Sequence, residues 1–198
     1  GITTIMMVGL QGTGKTTTIK GIIKIFKFQG LEISLAAPTG RAAKRMSEVT
    51  GMDAKTIHRL LEVEWDEDDK PYFRRNAQNP LDCDALILDE LSMIDIHLFA
   101  NLLEALPMGC RLILVGDSDQ LPPVGSGNVL QDLIISEMLP VVKLTQVFRQ
   151  ALESKIIANA HKIVVGEMPD LKNDGKDFFH MERPNPFLSA QTVVELCK

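Results

Sequence analysis

Short apolar runs and longer amphipathic segments alternate along most of the chain. Apolar runs of this length, bounded by glycine or proline turns, are typical of strands that are buried on both faces of a parallel sheet. We predict strands at residues 3–8, 31–37, 84–90, 111–117 and 141–145. Strands that alternate with helices indicate an α/β fold, in which helices cover both faces of a mostly parallel sheet.

Helical periodicity predicts the helices that cover the sheet. A helix over residues 15–28 would place four apolar side chains on one stripe, namely Ile19, Ile22, Ile23 and Phe26. Thr39 is the predicted N-cap of a helix over 40–49, and Asp95 that of the helix after the strand at 84–90. The core face of this last helix is expected to contain Phe99, Leu102, Leu103 and Leu106.

Two segments depart from the alternation. In residues 62–80, Val-Glu-Trp and Pro-Tyr-Phe flank an acidic turn, which predicts a small inserted hairpin. Residues 169–186 are polar and contain several prolines and glycines, so we expect them to leave the compact domain. We therefore predict one domain over 1–168 that carries the hairpin, followed by a tail over 169–198.

Composition indicates an ordinary globular protein with a sizeable core. The chain has 198 residues, of which 45% are hydrophobic and 24% are charged. Its apolar runs are too short to span a bilayer, so we expect no membrane association. Its three cysteines are far apart and odd in number, which gives no disulfide framework and suits a reducing cytoplasm: Cys83, Cys110 and Cys197.

The net charge of −5 argues against general, non-specific binding of nucleic acid. Much of the acid lies in residues 61–70, however, and short basic clusters remain at 41–45, 55–59 and 74–75. These clusters leave room for a local DNA groove, although each of them taken alone reads as a solvated surface.

Residues 9–16, "GLQGTGKT", match the phosphate-loop pattern G-x-x-x-x-G-K-[ST] between a predicted strand and a predicted helix. In such a loop the backbone N–H groups enclose a phosphate chain at the helix N-terminus. Lys15 would reach the β- and γ-phosphate oxygens, and the Thr16 hydroxyl would bind Mg²⁺. The predicted nucleotide-binding residues are Gly12, Thr13, Gly14, Lys15, Thr16 and Thr17.

Polar residues at the ends of later strands complete a hydrolytic site. Asp89 follows an apolar strand and would hold Mg²⁺, while Glu90 would orient and deprotonate the attacking water. Gln120 in "VGDSDQLPPV" could sense the γ-phosphate, since a loop merely stiffened by prolines explains only part of this motif. Arg149 in "LTQVFRQ" could contact the γ-phosphate, and a surface salt bridge is the alternative.

Several motifs in order resemble the first motor domain of superfamily 1B DNA helicases, and most of all the RecD-like branch. They are "GTGKTT", "APTGRAAKRM", "TIHRLL", "LILDELSMID", "GDSDQLPPVGSG" and "LTQVFRQ". The resemblance extends to about residue 168. It implies a RecA-like fold and ATP with Mg²⁺ as ligands. It also implies translocation in the 5′→3′ direction on single-stranded DNA, with unwinding at duplex junctions.

The resemblance also carries residue roles. It gives Lys15, Thr16, Asp89, Glu90, Gln120 and Arg149 the roles described above. It places Pro38, Thr39 and Arg41 on the DNA path, with Thr56 and His58 close by. In this branch the insertion at 62–80 splits the duplex, so Trp65, Tyr72 and Phe73 could stack on bases or pack the hairpin onto the domain.

Two departures from the family pattern leave alternatives open. The loop opens Gly9-Leu10-Gln11 where the family commonly has Gly-Gly-Pro, and it is similar to the loop of signal-recognition-particle GTPases. Those proteins need an [NT]-K-x-D segment, whereas "LKND" at 171–174 begins with leucine. Helicases of this family have two motor domains, and no motif of the second follows Gln150. The expected partners are therefore a second RecA-like domain of the full-length chain and recombination or repair subunits. A nucleotide-switched module without motor action is the other alternative.

Overall fold

The computed structural model describes residues 3–10, 13–145, 154–173 and 177–197. The chain divides into two compact units, Gly1–Val147 and Phe148–Lys198. The first unit contains a six-stranded sheet and a separate two-stranded one. Every neighbouring pair in the larger sheet is parallel, which confirms the predicted α/β fold.

The elements of the first unit follow the predicted alternation closely. The large sheet has the order β3-β2-β6-β7-β1-β8. Its strands are β1 Thr3–Gly9, β2 Ile33–Ala37, β3 Ala54–Thr56, β6 Ala85–Leu88, β7 Arg111–Gly116 and β8 Val141–Leu144. The helices are α1 Lys15–Phe28, α2 Gly40–Thr50, α3 Ile57–Leu60, α4 Ile96–Glu104 and α5 Val129–Ser136.

Two hydrophobic clusters lie on opposite faces of the sheet, because successive side chains of a strand point to opposite sides. Leu86 and Leu88 of β6 belong to one cluster, together with Leu102 of α4. Ile87 belongs to the other, together with Ile23 of α1. The sheet is therefore covered on both faces, as the continuous apolar runs predicted.

Two details of the predicted elements were wrong or missing. Leu103 was assigned to the core face of α4, but it is 38% exposed while Leu102 is fully buried. Consecutive positions on a helix are rotated by about 100°, so this helix buries a narrower stripe than its leucine content suggested. Strand β3 was not predicted, because Ala-Lys-Thr shows no apolar pattern and is defined by its pairing with β2.

The predicted hairpin is present and consists of β4 Val63–Trp65 paired antiparallel with β5 Pro71–Phe73. Phe73 packs against the core, and its ring centroid lies 5.9 Å from that of His58. Trp65 and Tyr72 are 64% and 46% exposed. One aromatic side chain therefore anchors the hairpin and two remain available at its surface.

Ion pairs within the hairpin account for one of the basic clusters. Arg75 Nε lies 2.8 Å from Glu62 Oε1, and Arg74 Nη1 lies 3.2 Å from Glu64 Oε1. Both arginines are thus paired with acidic residues of the insertion itself. This pairing agrees with the interpretation of 74–75 as a solvated surface.

The second unit contains α6 Lys155–Val164 and α7 Pro186–Leu196. The buried Asn159 side chain holds the segment after α6, since its amide donates to Asp170 O at 2.9 Å and its oxygen accepts from Asp170 N at 2.8 Å. Neither helix was among the predicted elements. Within the described part of the chain, no helix has the length and apolar character that crossing a bilayer requires.

Candidate active site

The carboxyl ends of the six parallel strands lie at one edge of the sheet, where ligands bind in open α/β folds. Strands β1, β6 and β7 are neighbours in the order β6-β7-β1. Their carboxyl ends are followed by the phosphate loop, by Asp89-Glu90 and by Asp117. Residues that are remote in the chain therefore meet at this edge.

Helix α1 begins without a side-chain cap. Its N-cap residue, Gly14, has φ 86° and provides no side-chain acceptor for the N–H groups of the first turn. Thr13 instead turns back toward the strand, with Oγ1 donating to Leu10 O at 2.6 Å. Thr16 and Thr17 are exposed at the start of the helix. The first-turn N–H groups and the positive end of the helix dipole are therefore available to an anion.

Glycine is required where β1 ends. A Cβ built on Gly9 would lie 2.6 Å from Thr13 Oγ1 and 2.8 Å from Leu144 O. Side chains do not tolerate such contacts, so the loop can approach β8 only with glycine at this position. The motif pattern requires a glycine here, and the structure supplies the steric reason.

Lys15 and Asp117 form an ion pair, with 3.6 Å between Nζ and Oδ2. Asp117 is only 4% exposed, and its Oδ1 accepts from Asp119 N at 3.1 Å. A buried carboxylate requires such partners. Sequence reasoning had given Asp117 no specific role, because its partner Lys15 lies about a hundred residues away in the chain, at the start of α1.

Asp89 lies directly after β6 in the same neighbourhood. Its pKa is raised above the usual value, mainly because burial disfavours the carboxylate and secondarily because Glu90 is close. A hydrogen bond from Glu90 N at 2.9 Å and the nearby charge of Lys15 oppose this rise in pKa. Strand β6 is the neighbour of β7, whose end carries Asp117, the ion-pair partner of Lys15, so Asp89 and the phosphate loop lie at the same edge.

Glu90 adopts a left-handed backbone conformation, with φ 57° and ψ 43°. This conformation costs a residue with a side chain about 1–2 kcal/mol. The short 3-10 helix Leu91–Met93 begins directly after it. Backbone strain of this kind concentrates at functional sites, and sequence alone could not reveal it here.

Gln120 is connected to the loop after β6 through a residue that sequence reasoning missed. The hydroxyl of Ser92 donates to Gln120 Oε1 at 2.9 Å. Ser92 is 4% exposed, whereas Gln120 is exposed. The amide of Gln120 therefore rests on a buried hydroxyl two positions after Glu90.

The oxygen ligands at this edge suit Mg²⁺. A threonine hydroxyl at Thr16 and a carboxylate at Asp89 are hard donors of the kind this ion prefers. Among the described residues, no group of three or more His, Cys, Asp or Glu side chains could hold a metal by itself. The chemistry of the site thus fits an ion that takes its remaining ligands from phosphate oxygens and water.

The residues predicted for the DNA path lie after β2 and β3, which are paired so that Ala37 is opposite Thr56. Thr39 Oγ1 accepts from Ala42 N at 3.2 Å, which confirms the predicted cap of α2. Thr56 Oγ1 accepts from Arg59 N at 3.2 Å in the same way. Pro38 is half-buried, whereas Arg41 and His58 are exposed. Two predicted site residues, Gly12 and Arg149, lie outside the described residues.

The fold and this edge together define a P-loop, RecA-like nucleotide-binding domain. A family profile described as "AAA domain" matches residues 2–126. The chain therefore belongs to the AAA domain family.

Comparison with individual proteins shows which members of this family the chain is similar to. Over 165 residues, 83% of this chain and 22% of the other, the chain is 46% identical to the "ATP-dependent RecD2 DNA helicase" of Deinococcus radiodurans. Over 152 residues, 65% of this chain and 27% of the other, it is 38% identical to the "RecBCD enzyme subunit RecD" of Mycolicibacterium smegmatis. The Pif1 helicase structure from Candida albicans matches with a TM-score of 0.59 and 23% identity, covering 85% of this chain and 42% of the other.

These likenesses confirm the resemblance to RecD-like superfamily 1B helicases and the RecA-like fold class. They do not favour the GTPase alternative raised by the phosphate loop. The chain spans about a quarter of the length of the curated relatives it matches.

Proposed function

We propose that this chain is the ATP-binding and hydrolysing motor domain of a 5′→3′ DNA helicase of the RecD-like type. It would couple ATP hydrolysis to translocation on single-stranded DNA and to unwinding at duplex junctions. The observation that carries this proposal is the ion pair of Lys15 with Asp117 beside the uncapped start of α1, with Asp89 after the neighbouring strand β6. The identity of the relatives, a RecD2 helicase and a RecD subunit, supports the motor class.

In the proposed mechanism, the triphosphate binds at the start of α1 through Gly12, Thr13, Gly14 and the residues that follow. Lys15 exchanges its contact with Asp117 for the β- and γ-phosphate oxygens. Mg²⁺, held by Thr16 and Asp89, would neutralise charge on the phosphates. Glu90 orients the attacking water and accepts its proton.

Two further residues would report the state of the γ-phosphate. Gln120 contacts it through its amide, and the hydrogen bond to Ser92 connects that amide to the loop carrying Glu90. Arg149 is proposed as a second γ-phosphate contact. Loss of the γ-phosphate would thereby change both loops together.

The DNA would run over the ends of β2 and β3. The Thr39 and Thr56 hydroxyls accept backbone hydrogen bonds, so each still has its O–H to donate to a DNA phosphate. Pro38, Arg41 and His58 flank them. The hairpin at 62–80 would meet the duplex junction, where exposed Trp65 and Tyr72 offer stacking surfaces.

Domain organisation and partners remain part of the proposal. We propose that 1–168 is the first motor domain, that 169–198 leads toward a second RecA-like domain, and that the protein is cytoplasmic. Repair or recombination subunits are further candidate partners. An arginine from the second domain would raise kcat by ~10³–10⁵, so this chain alone should turn ATP over slowly.

A nucleotide-switched module without motor action is the competing function. Glu90→Gln should trap ATP in both cases. Adding the second domain in the full-length protein should give an ATPase that single-stranded DNA stimulates only if the chain is a motor. An ATPase indifferent to DNA would contradict the proposal, as would robust unwinding by the present chain alone.

A further inference from the structure

A cavity of about 270 Å³ opens at the amino edge of the sheet, opposite the edge that carries the candidate active site. It is formed by the segments that precede β6 and β7, residues 81–84 and 107–110, together with Glu32 before β2. Two of its lining residues are cysteines, Cys83 and Cys110. Neither has a part in the proposed ATP chemistry.

The two thiols are neighbours although they are remote in the chain. Ala85 and Arg111 are paired in the sheet, and Arg111 N donates to Asp84 O at 2.9 Å, so the starts of β6 and β7 lie side by side. Cys83 and Cys110 pack in the same hydrophobic cluster. Both also line the same cavity.

The environments of the two thiols differ. The pKa of Cys83 is lowered, chiefly by its interaction with Cys110 and also by Ser34, although burial and the Asp84 and Asp82 carboxylates act in the opposite direction. The pKa of Cys110 is raised by the same interaction and by burial. Cys83 is 8% exposed and Cys110 only 1%. Cys83, which is the more exposed thiol and the one with the lower pKa, is therefore expected to react first, and Cys110 second.

The charge of the cavity selects among oxidants. Glu32, Asp82 and Asp84 line it, so an anionic reagent such as oxidised glutathione would be repelled. A small neutral oxidant would not be. Within the described residues, no group of three or more His, Cys, Asp or Glu side chains could hold a metal ion.

We propose that Cys83 and Cys110 form a peroxide-reactive dithiol that closes to an intramolecular disulfide. The Cys83 thiolate attacks one oxygen of hydrogen peroxide, breaking the O–O bond and giving a sulfenic acid and hydroxide, which takes up a proton to become water. The Cys110 sulfur then attacks the Cys83 sulfur and releases a second water. Two thiols are oxidised by two electrons and one peroxide is reduced.

The experiment uses the whole chain carrying Cys197→Ser, since Cys197 is exposed and would react by itself. The protein is treated with hydrogen peroxide, alkylated, digested and analysed by mass spectrometry. We expect a cross-linked peptide containing Cys83 and Cys110, with the intact mass lower by two hydrogen atoms and restored by a reducing agent. Oxidised glutathione should react more slowly than the cationic disulfide cystamine, and added salt should narrow that difference.

Single variants in the same background test the order of events. Cys110→Ser should stop at a Cys83 sulfenic acid that dimedone traps, whereas Cys83→Ser should leave Cys110 reduced. Retention of both free thiols in the folded Cys197→Ser protein, under peroxide conditions that oxidise an exposed thiol, would overturn the proposal without requiring the single variants to fold. Because the cavity lies at the other edge of the sheet, neither result depends on the proposed helicase function.

Discussion

The starts of α1 and α2 lie at the same edge of one sheet but differ in how their first N–H groups are satisfied. Helix α1 follows β1 and begins at Gly14 with no side-chain cap. Helix α2 follows β2, and Thr39 accepts a hydrogen bond from its first turn. An uncapped start retains its donors for a ligand, whereas a capped start has used one for its own stability.

This contrast separates two kinds of phosphate contact. The start of α1 can enclose an anion with backbone N–H groups, and Lys15 lies there to neutralise it. The start of α2 can offer only the remaining hydroxyl donor of Thr39 and the exposed cation of Arg41. We therefore expect a tight nucleotide site at α1 and a weaker, non-sequence-specific backbone contact at α2.

The largest expected effect comes from removing the cation at α1. Lys15→Ala should weaken ATP binding by about 100-fold, because a hydrogen bond to a charged group contributes about 1.5–3 kcal/mol. Isothermal titration calorimetry measures this loss. Lys20→Ala is the matched control, since Lys20 is an exposed lysine of the same helix. Unchanged ATP affinity in Lys15→Ala would remove the basis for the nucleotide site.

Adding a single methyl group in the loop before α1 should have the next largest effect. Gly9→Ala brings Cβ to 2.6 Å from Thr13 Oγ1 and 2.8 Å from the Leu144 carbonyl. We expect a loss of about 1–3 kcal/mol in unfolding free energy, together with weaker ATP binding.

Gly21→Ala should change the unfolding free energy in the opposite direction, since a Cβ at Gly21 in the interior of α1 meets nothing within 4 Å. It should stabilise the protein by about 1 kcal/mol. Urea denaturation of both variants measures the difference. Equal stability of Gly9→Ala and the parent would show that the loop is not held against β8.

The smallest effect is expected at the start of α2. Thr39→Ala should cost about 1 kcal/mol of unfolding free energy because it removes the cap, while Thr39→Ser should cost much less. The same denaturation experiment separates the two. ATP affinity should not change in either variant, and a large loss of affinity would mean that α2 belongs to the nucleotide site.

Much of the first unit could be predicted because its signals are local. Helix α1 begins and ends where its apolar stripe predicted, and the predicted cap residues Thr39 and Asp95 accept their hydrogen bonds. Strand β3 and Leu103 could not be predicted correctly, since pairing and packing decide them.

The candidate site shows the same division. The motifs indicated Lys15, Asp89 and Gln120 one at a time, each from its position after a strand. Their partners Asp117 and Ser92 depend on contacts between segments remote in the chain, and the left-handed backbone of Glu90 has no sequence signal. The proximity of Cys83 to Cys110 could not be predicted for the same reason, since it depends on the pairing of β6 with β7.

The most direct test is a crystal structure of the chain with Mg²⁺ and a non-hydrolysable ATP analogue. We predict the triphosphate at the start of α1, Lys15 Nζ moved from Asp117 to the phosphates, and Mg²⁺ about 2.1 Å from the Thr16 hydroxyl. Asp89 should bind the ion directly or through a water. A nucleotide bound elsewhere, with Lys15 still paired to Asp117, would contradict the assignment of this edge as the ATP site.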